Sequence, residues 1–301
     1  MQVQLATTAT PAALWKQRLA SYVNLMKPHV TVLLLGTTLA AMVCAERGFP
    51  RLGLVLATLL GGAFAAGSAN AINCYWDRDI DQLMTRTQRR SLPAGRVTPA
   101  NALLFGLTLG VLSFVVLAVW VNLLSAALAV AAILFYVLVY TMWLKRSSTQ
   151  NIVIGGAAGA VPVLVGWAAV TGRLDLAAWW MFFIIFLWTP PHFWALALLI
   201  RKDYARAQVP MLPVVAGERE TKRQIVLYSF LLLAATLILF AMRAMGYFYL
   251  VSAVLLGGAL IVLALRLWWE PHLGTARRLF WYSNLYLALL FAAMVVDRVL
   301  W

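Results

Sequence analysis

An all-α, polytopic membrane protein of about nine transmembrane helices is what three features of this sequence predict. Hydrophobic residues make up 63% of the 301 positions and charged residues only 11%, more apolar surface than one soluble core can hide. Apolar runs recur at lengths that cross a hydrocarbon core of roughly 30 Å. The basic residues between those runs collect in alternate gaps, as the positive-inside rule requires.

The elements follow in chain order. Residues 1–28 hold a single Arg and a single Ser, poor for a transit peptide, and no apolar core of a cleavable signal, and the distribution of basic residues makes them a cytoplasmic N-terminal segment. Pro28, after Lys27, then opens the first membrane helix as its N1 residue. Spans are expected near 29–46, 52–72, 101–120, 123–143, 151–170, 177–199, 225–242, 246–265 and 279–297, with Val121 and Asn122 as the turn between the third and fourth. Residues 29–301 form one transmembrane domain. Two long inner loops, 73–100 and 200–224, each follow a matching span four crossings apart. That spacing suggests two four-helix units plus a ninth helix around a central cavity, although no sequence repeat accompanies it.

With the N-terminus inside, 19 of the 24 Lys and Arg fall on the inner side, leaving Arg47, Arg51, Arg173, Arg243 and Arg298 outside. The net charge of +14 is thus mostly topology. It sits in short membrane-flanking loops rather than in a continuous stripe, so no nucleic-acid partner is expected. Cys44 and Cys74 lie near opposite ends of their spans and should remain separate thiols. A bacterial inner membrane, with the lipid bilayer as the chain's surroundings, fits these features.

Chemistry concentrates in Asn73-Cys74-Tyr75-Trp76-Asp77-Arg78-Asp79-Ile80-Asp81, which places three of only ten acids within five positions at the end of an apolar run. On a helix Asn73, Asp77 and Asp81 share one face over about 12 Å, while Asp79 points elsewhere. Burying an Asp at a helix centre costs roughly 2.5–3.5 kcal/mol, so three together imply water or a cation. Hard oxygen donors in a row suit Mg²⁺ shared with phosphate oxygens. Arg78 and Arg86, interleaved with these acids, are candidate diphosphate ligands, whereas Arg89, Arg90 and Arg96 serve equally well as topology determinants. The second long loop supplies Arg201-Lys202-Asp203-Tyr204 at the corresponding helix end, with Glu218 and Glu220 beyond it. A loop-covered inner-face pocket of mixed sign would take a substrate with a polyanionic head and an apolar tail.

Pro190-Pro191 should break or kink the sixth span just before His192, exposing irregular backbone of the kind tolerated where it lines a cavity. His29 and His272 are read as structural. Gly62 and the Gly155-x3-Gly159 pair are read as close helix contacts.

The pattern Asn73-x3-Asp77-x3-Asp81 at the inner end of a second membrane helix resembles the first acidic motif of the UbiA-type intramembrane prenyltransferases. Further blocks resemble the haem O synthase (protohaem IX farnesyltransferase) branch of that superfamily. They are Asp77-Arg78-Asp79-Ile80-Asp81, Met84-x-Arg86-Thr87, Leu92-Pro93-Ala94-Gly95, Tyr140-Thr141-x2-Leu144-Lys145-Arg146, Asn151-Ile152-x-Ile154-Gly155-Gly156, Pro191-His192-Phe193-Trp194 and Asp203-Tyr204 with Pro210-Met211-Leu212-Pro213. Departures are Ser91, Gln208 and Ala207, the last leaving Asp203 without a partner acid. The likeness is dense over about 24–225 and rests on hydropathy beyond.

The resemblance implies transfer of farnesyl from farnesyl diphosphate to a vinyl group of haem B, a substrate rather than a prosthetic group, giving haem O and diphosphate. Mg²⁺ would be held by Asp77, Asp81 and Asp203, with Asn73 as a neutral ligand or the orienter of a metal-bound water. Lys145, Arg146, Arg78, Arg86 and Lys202 would clamp the diphosphate. Tyr75, Trp76, Tyr140 or Trp194 would shield the allylic cation. Asn151 and Tyr204 lie in the matched blocks as substrate contacts, and His192 would touch haem or handle a proton. A haem A synthase would be a downstream partner. Two other readings stay open: a UbiA-type enzyme acting on a quinone precursor or chlorin, and a non-enzymatic haem or lipid transporter.

Overall fold

The structure, a computed structural model, describes residues 11–270 and 272–300; positions 1–10 of the N-terminal segment lie outside the described residues. Among the described residues every regular element is helical, and nine helices are long and apolar enough to cross a membrane. A helix not anticipated in the N-terminal segment, α1 (Pro11–Leu25), precedes them. The spans are α2 (Pro28–Glu46), α3 (Leu52–Trp76), α5 (Pro99–Trp120), α6 (Leu123–Leu134) with its continuation, α8 (Asn151–Thr171), α9 (Leu176–Leu199), α12 (Gly217–Ala241), α13 (Tyr247–Trp269) and α14 (Gly274–Leu300). Short helices fill the inner loops: α4 (Arg78–Leu83), α10 (Arg201–Arg206) and α11 (Leu212–Val215). The loop expected over 200–224 is therefore largely helical, and α12 begins at Gly217.

Local chemistry accounts for the boundaries. Pro28 does open α2, and Lys27 before it adopts a left-handed φ of 51° that turns the chain out of α1. Asn122 makes the tight turn between the third and fourth spans. Its side chain accepts from Ser125 N at 2.8 Å and donates to Ala168 O at 2.8 Å, capping α6 while tying it to α8. Asp297, buried in the ninth span, accepts from the backbone N–H groups of Gly246 and Tyr249 and so caps α13 from outside.

Small residues set the helix separations where lipid offers no hydrophobic drive for association. Ser113 donates to Gly61 O at 2.8 Å across α3 and α5, and Leu117 fills the space beside Gly61. At the crossing of α2 and α8, a Cβ on Gly166 would lie 2.3 Å from the Thr38 carbonyl oxygen. Of the glycine pair singled out from the sequence, one residue is such a close contact and the other is not. Gly155 makes room for the Tyr140 ring, and Gly159 faces open space. Cys44 and Cys74 are both buried and free.

After α6 the fourth span leaves α-geometry: Phe135–Leu144 form a π-helix, followed by the single turn α7 (Lys145–Ser147). Extended π-helix is rare and tends to mark functional positions. The expected break at Pro190-Pro191 does not occur, since α9 runs through both prolines to Leu199. The missing N–H groups are tolerated at this depth because α9 is packed by α8, α12 and α14, and Thr189 donates to Ile185 O at 2.9 Å beside them.

Candidate active site

The motif helix barely interrupts at its functional end. Asp77 closes α3 at φ −86°, ψ 6°, yet Asp77 N bonds Asn73 O at 2.9 Å and Asp81 N bonds Asp77 O at 2.8 Å. Asn73, Asp77 and Asp81 therefore stay on one inward face, buried at 3%, 0% and 2% exposure, while Asp79 lies on the exposed side. The π-segment supplies the facing wall. Thr141 accepts from Asn73 Nδ2 at 3.1 Å, and one turn on Lys145 pairs with Asp77 Oδ2. Asn73 also donates to Asp77 Oδ2 at 2.7 Å, so one carboxylate oxygen is fixed by two helices.

Two cations that sequence reasoning passed over complete the cluster. Lys27 Nζ donates to Asn73 Oδ1 at 2.8 Å, and burial holds its ammonium below the ordinary lysine range. Arg90 Nη1 reaches both oxygens of Asp81, at 2.9 and 3.1 Å. The left-handed conformation that aims Lys27 inward, and the run of turns from 84 to 90 that folds Arg90 back onto Asp81, leave no periodic trace in the sequence. Thr87 Oγ1 donates to Asp81 O at 2.8 Å and helps hold that turn.

Asp77 Oδ1 is buried and accepts no hydrogen bond; Arg146 Nη2 stands 3.8 Å away. A lone pair so placed, beside a second carboxylate one turn on, fits a hard divalent cation. Among the described residues no three Asp, Glu, His or Cys side chains converge as a metal cluster. The donor set accordingly suits Mg²⁺, which uses one or two carboxylates and takes its other ligands from phosphate and water.

The two inner loops meet over this site. Asp203 accepts from Thr85 Oγ1 at 3.1 Å and pairs with Arg206 at 3.8 Å, so it ties the loops together rather than joining Asp77 and Asp81. Tyr204 is buried with Ile80, Met84, Ile152, Val209 and Met211, and Tyr140 packs on the same cluster. Arg86 lies near Tyr204.

Nearly one turn before Asn73, Asn70 of α3 reaches the wall of an apolar cavity of about 160 Å³ between α2, α3, α6 and α8. Asn70 and Tyr136 are polar at its wall, whereas Leu34, Ala66, Gly159 and Pro162 line the rest.

Other expected residues fall elsewhere. Arg78 is turned outward, donating to Tyr75 O at 2.8 Å with its guanidinium 4.7 Å over the Tyr75 ring. Lys202 is exposed. Trp194 is buried in the large core of the second half, edge-on to Tyr228 at 5.3 Å, and does not face the acids. Asn151 spends its amide on Ser148 O at 2.6 Å, shaping the turn into α8. His192 bonds Ser283 Oγ through Nδ1 at 2.7 Å and stacks between Trp188 and Phe280, against the ninth span.

The sequence model of the UbiA prenyltransferase family matches residues 34–290. The chain belongs to this family. Among its relatives is a protein of Gloeobacter violaceus named protoheme IX farnesyltransferase, 56% identical over 93% of this chain and 92% of that one. Another of the same name, from Symbiobacterium thermophilum, is 57% identical over 93% and 95%. Proteins of known structure share the fold at much lower identity. A digeranylgeranylglyceryl phosphate synthase structure superposes with a TM-score of 0.78 at 18% identity, covering 94% of this chain and 99% of that one. A UbiA homologue of Archaeoglobus fulgidus, solved with DMAPP and Mg²⁺, gives 0.65 at 18% identity over 92% and 99%.

Proposed function

We propose that this protein transfers the farnesyl group of farnesyl diphosphate to a vinyl group of haem B, releasing diphosphate and forming haem O for respiratory oxidases. The observation that carries the chemistry is the succession along α3: Asn70 lines an apolar cavity, and Asn73, Asp77 and Asp81 beyond it form a buried cluster with cations. The acceptor is supported by relatives above 50% identity that bear the farnesyltransferase name over nearly their whole length.

The C1–O bond of an allylic diphosphate ionises only if the departing charge is neutralised in a water-poor site. Mg²⁺, held by Asp77 and Asp81 with diphosphate oxygens, would supply part of that neutralisation. Lys145, Arg90 and Lys27 supply the rest, exchanging Asp77, Asp81 and the Asn73 amide oxygen for phosphate oxygens as substrate arrives, while Arg146 stays on Asp79 and adds its charge from 3.8 Å beyond Asp77. Asn73 orients Asp77, because both ends of its amide are already engaged there and by Lys27. The apolar cavity takes the prenyl chain and keeps water from the cation, with the Tyr136 and Tyr140 rings, 5.2 Å apart, beside it. The vinyl carbon then bonds to C1, and water adds to the neighbouring carbon with loss of a proton. Asp203 and Arg206 hold the two loops as a cover. The protein is placed in a bacterial inner membrane with this face cytoplasmic, upstream of a haem A synthase.

Purified protein given farnesyl diphosphate, haem B and Mg²⁺ should release diphosphate in step with haem O, and chelation should stop both. Diphosphate release with a quinone precursor but not with haem B would move the protein to the other enzyme reading; no release with any acceptor would leave the transporter. For the haem side, His192→Ala should raise KM for haem B more than KM for farnesyl diphosphate. Unchanged haem O formation would remove His192 from the reaction.

A further inference from the structure

A second pocket, of about 360 Å³, opens beside the acid cluster and is not used by the reaction as described so far. Tyr75, Trp76, Arg78, Asp79, Met142 and Arg146 line it, bringing the outer side of the motif helix against the end of the π-segment. Its two guanidiniums are held for an incoming anion. Arg78 lies flat on the Tyr75 ring and uses one donor, to Tyr75 O. Arg146 is anchored by both oxygens of Asp79, at 2.7 and 2.8 Å, and by Trp76 O at 3.0 Å. That ion pair matches one guanidinium with one carboxylate and leaves Arg78 as the pocket's unpaired charge. The same Arg146 stands 3.8 Å from Asp77. One residue thus forms the wall between this pocket and the acid cluster.

We propose that this pocket receives the propionate edge of the acceptor, a flat tetrapyrrole whose two carboxylates pair with Arg78 and Arg146 while its rings lie on Tyr75 and Trp76. This deepens the haem reading and rests on it. In protohaem IX the propionates and the vinyl groups occupy opposite edges of the ring. Holding the acids at the water-facing pocket directs the vinyl edge away from water, which is the polarity a reaction with a membrane-held prenyl chain needs. Guanidinium forks match carboxylates in pairs, and the exposed Trp76 with the half-buried Tyr75 offers apolar faces for the rings.

The test compares haem B with its propionate dimethyl ester as acceptors, for wild-type protein and for Arg78→Gln, in nanodiscs of zwitterionic lipid and of lipid with added phosphatidylglycerol. Wild type should show KM for the ester raised roughly tenfold over the free acid, with KM for farnesyl diphosphate unchanged. Arg78→Gln should raise KM for haem B by a similar factor, lose the distinction between acid and ester, and melt like wild type; Arg78→Lys should recover part of it. Retention of the full acid-to-ester ratio in Arg78→Gln would overturn the proposal. So would a defect that follows phosphatidylglycerol content instead of esterification, which would give the pocket to a lipid headgroup. Wild type that releases diphosphate yet makes no haem O would instead remove the haem reading on which the proposal stands.

Discussion

Asp77→Asn is expected to lower diphosphate release by roughly 10²- to 10³-fold while the detergent-solubilised protein stays folded. Asp77 is buried, pairs with Lys145, accepts from Asn73 and keeps Oδ1 free of any hydrogen bond. Alanine would confuse two effects, because stripping a buried cation of its partner costs about 3–5 kcal/mol in stability. The amide is nearly isosteric and leaves Lys145 an acceptor, so the change removes charge while keeping shape. Two measurements on one sample decide the matter: a thermal melt, and diphosphate release titrated with Mg²⁺. A melt like wild type with release lost, or recovered only at much higher Mg²⁺, is the expected pair. Wild-type release at ordinary Mg²⁺ would remove Asp77 from the metal site.

The parts of this site that were legible in sequence are those carried by periodicity. Asn73, Asp77 and Asp81 obey a spacing of four, and a helix end that hardly breaks preserves their common face. Lys145 and Arg146 were legible only through the family blocks, since their approach to Asp77 depends on a π-helix that no propensity announces. Lys27 and Arg90 belong to turns, where a single backbone angle decides which way a long side chain points. Arg78 and Lys202 fail for the opposite reason. Proximity in sequence to an acid says nothing about which face of a short helix a flexible cation takes, and both ended outward. Trp194 shows the same limit for aromatics: its place next to His192 in the chain put it in a core instead.

The second large effect is expected at Gly166, whose replacement by Val should cost at least about 3 kcal/mol, the upper part of the range for overpacking. The obstacle there is the Thr38 carbonyl oxygen, 2.3 Å from the would-be Cβ. A backbone atom cannot swing aside as a side chain can, so α2 and α8 would have to separate along the wall of the apolar cavity, where Leu34, Thr38 and Val165 sit. Thermal melts of the two proteins in one detergent read this directly, and an unchanged midpoint for Gly166→Val would show that the crossing is looser than described. Gly159, seven residues earlier on α8, is the control that ties packing to function. Nothing lies within 4 Å of its would-be Cβ, and the residue lines the cavity. Gly159→Val should therefore melt like wild type and act on the substrate instead, raising KM for farnesyl diphosphate more than for the shorter geranyl diphosphate. Equal KM values for both diphosphates in variant and wild type would place the prenyl chain outside this cavity, even if the acid cluster above it proved essential.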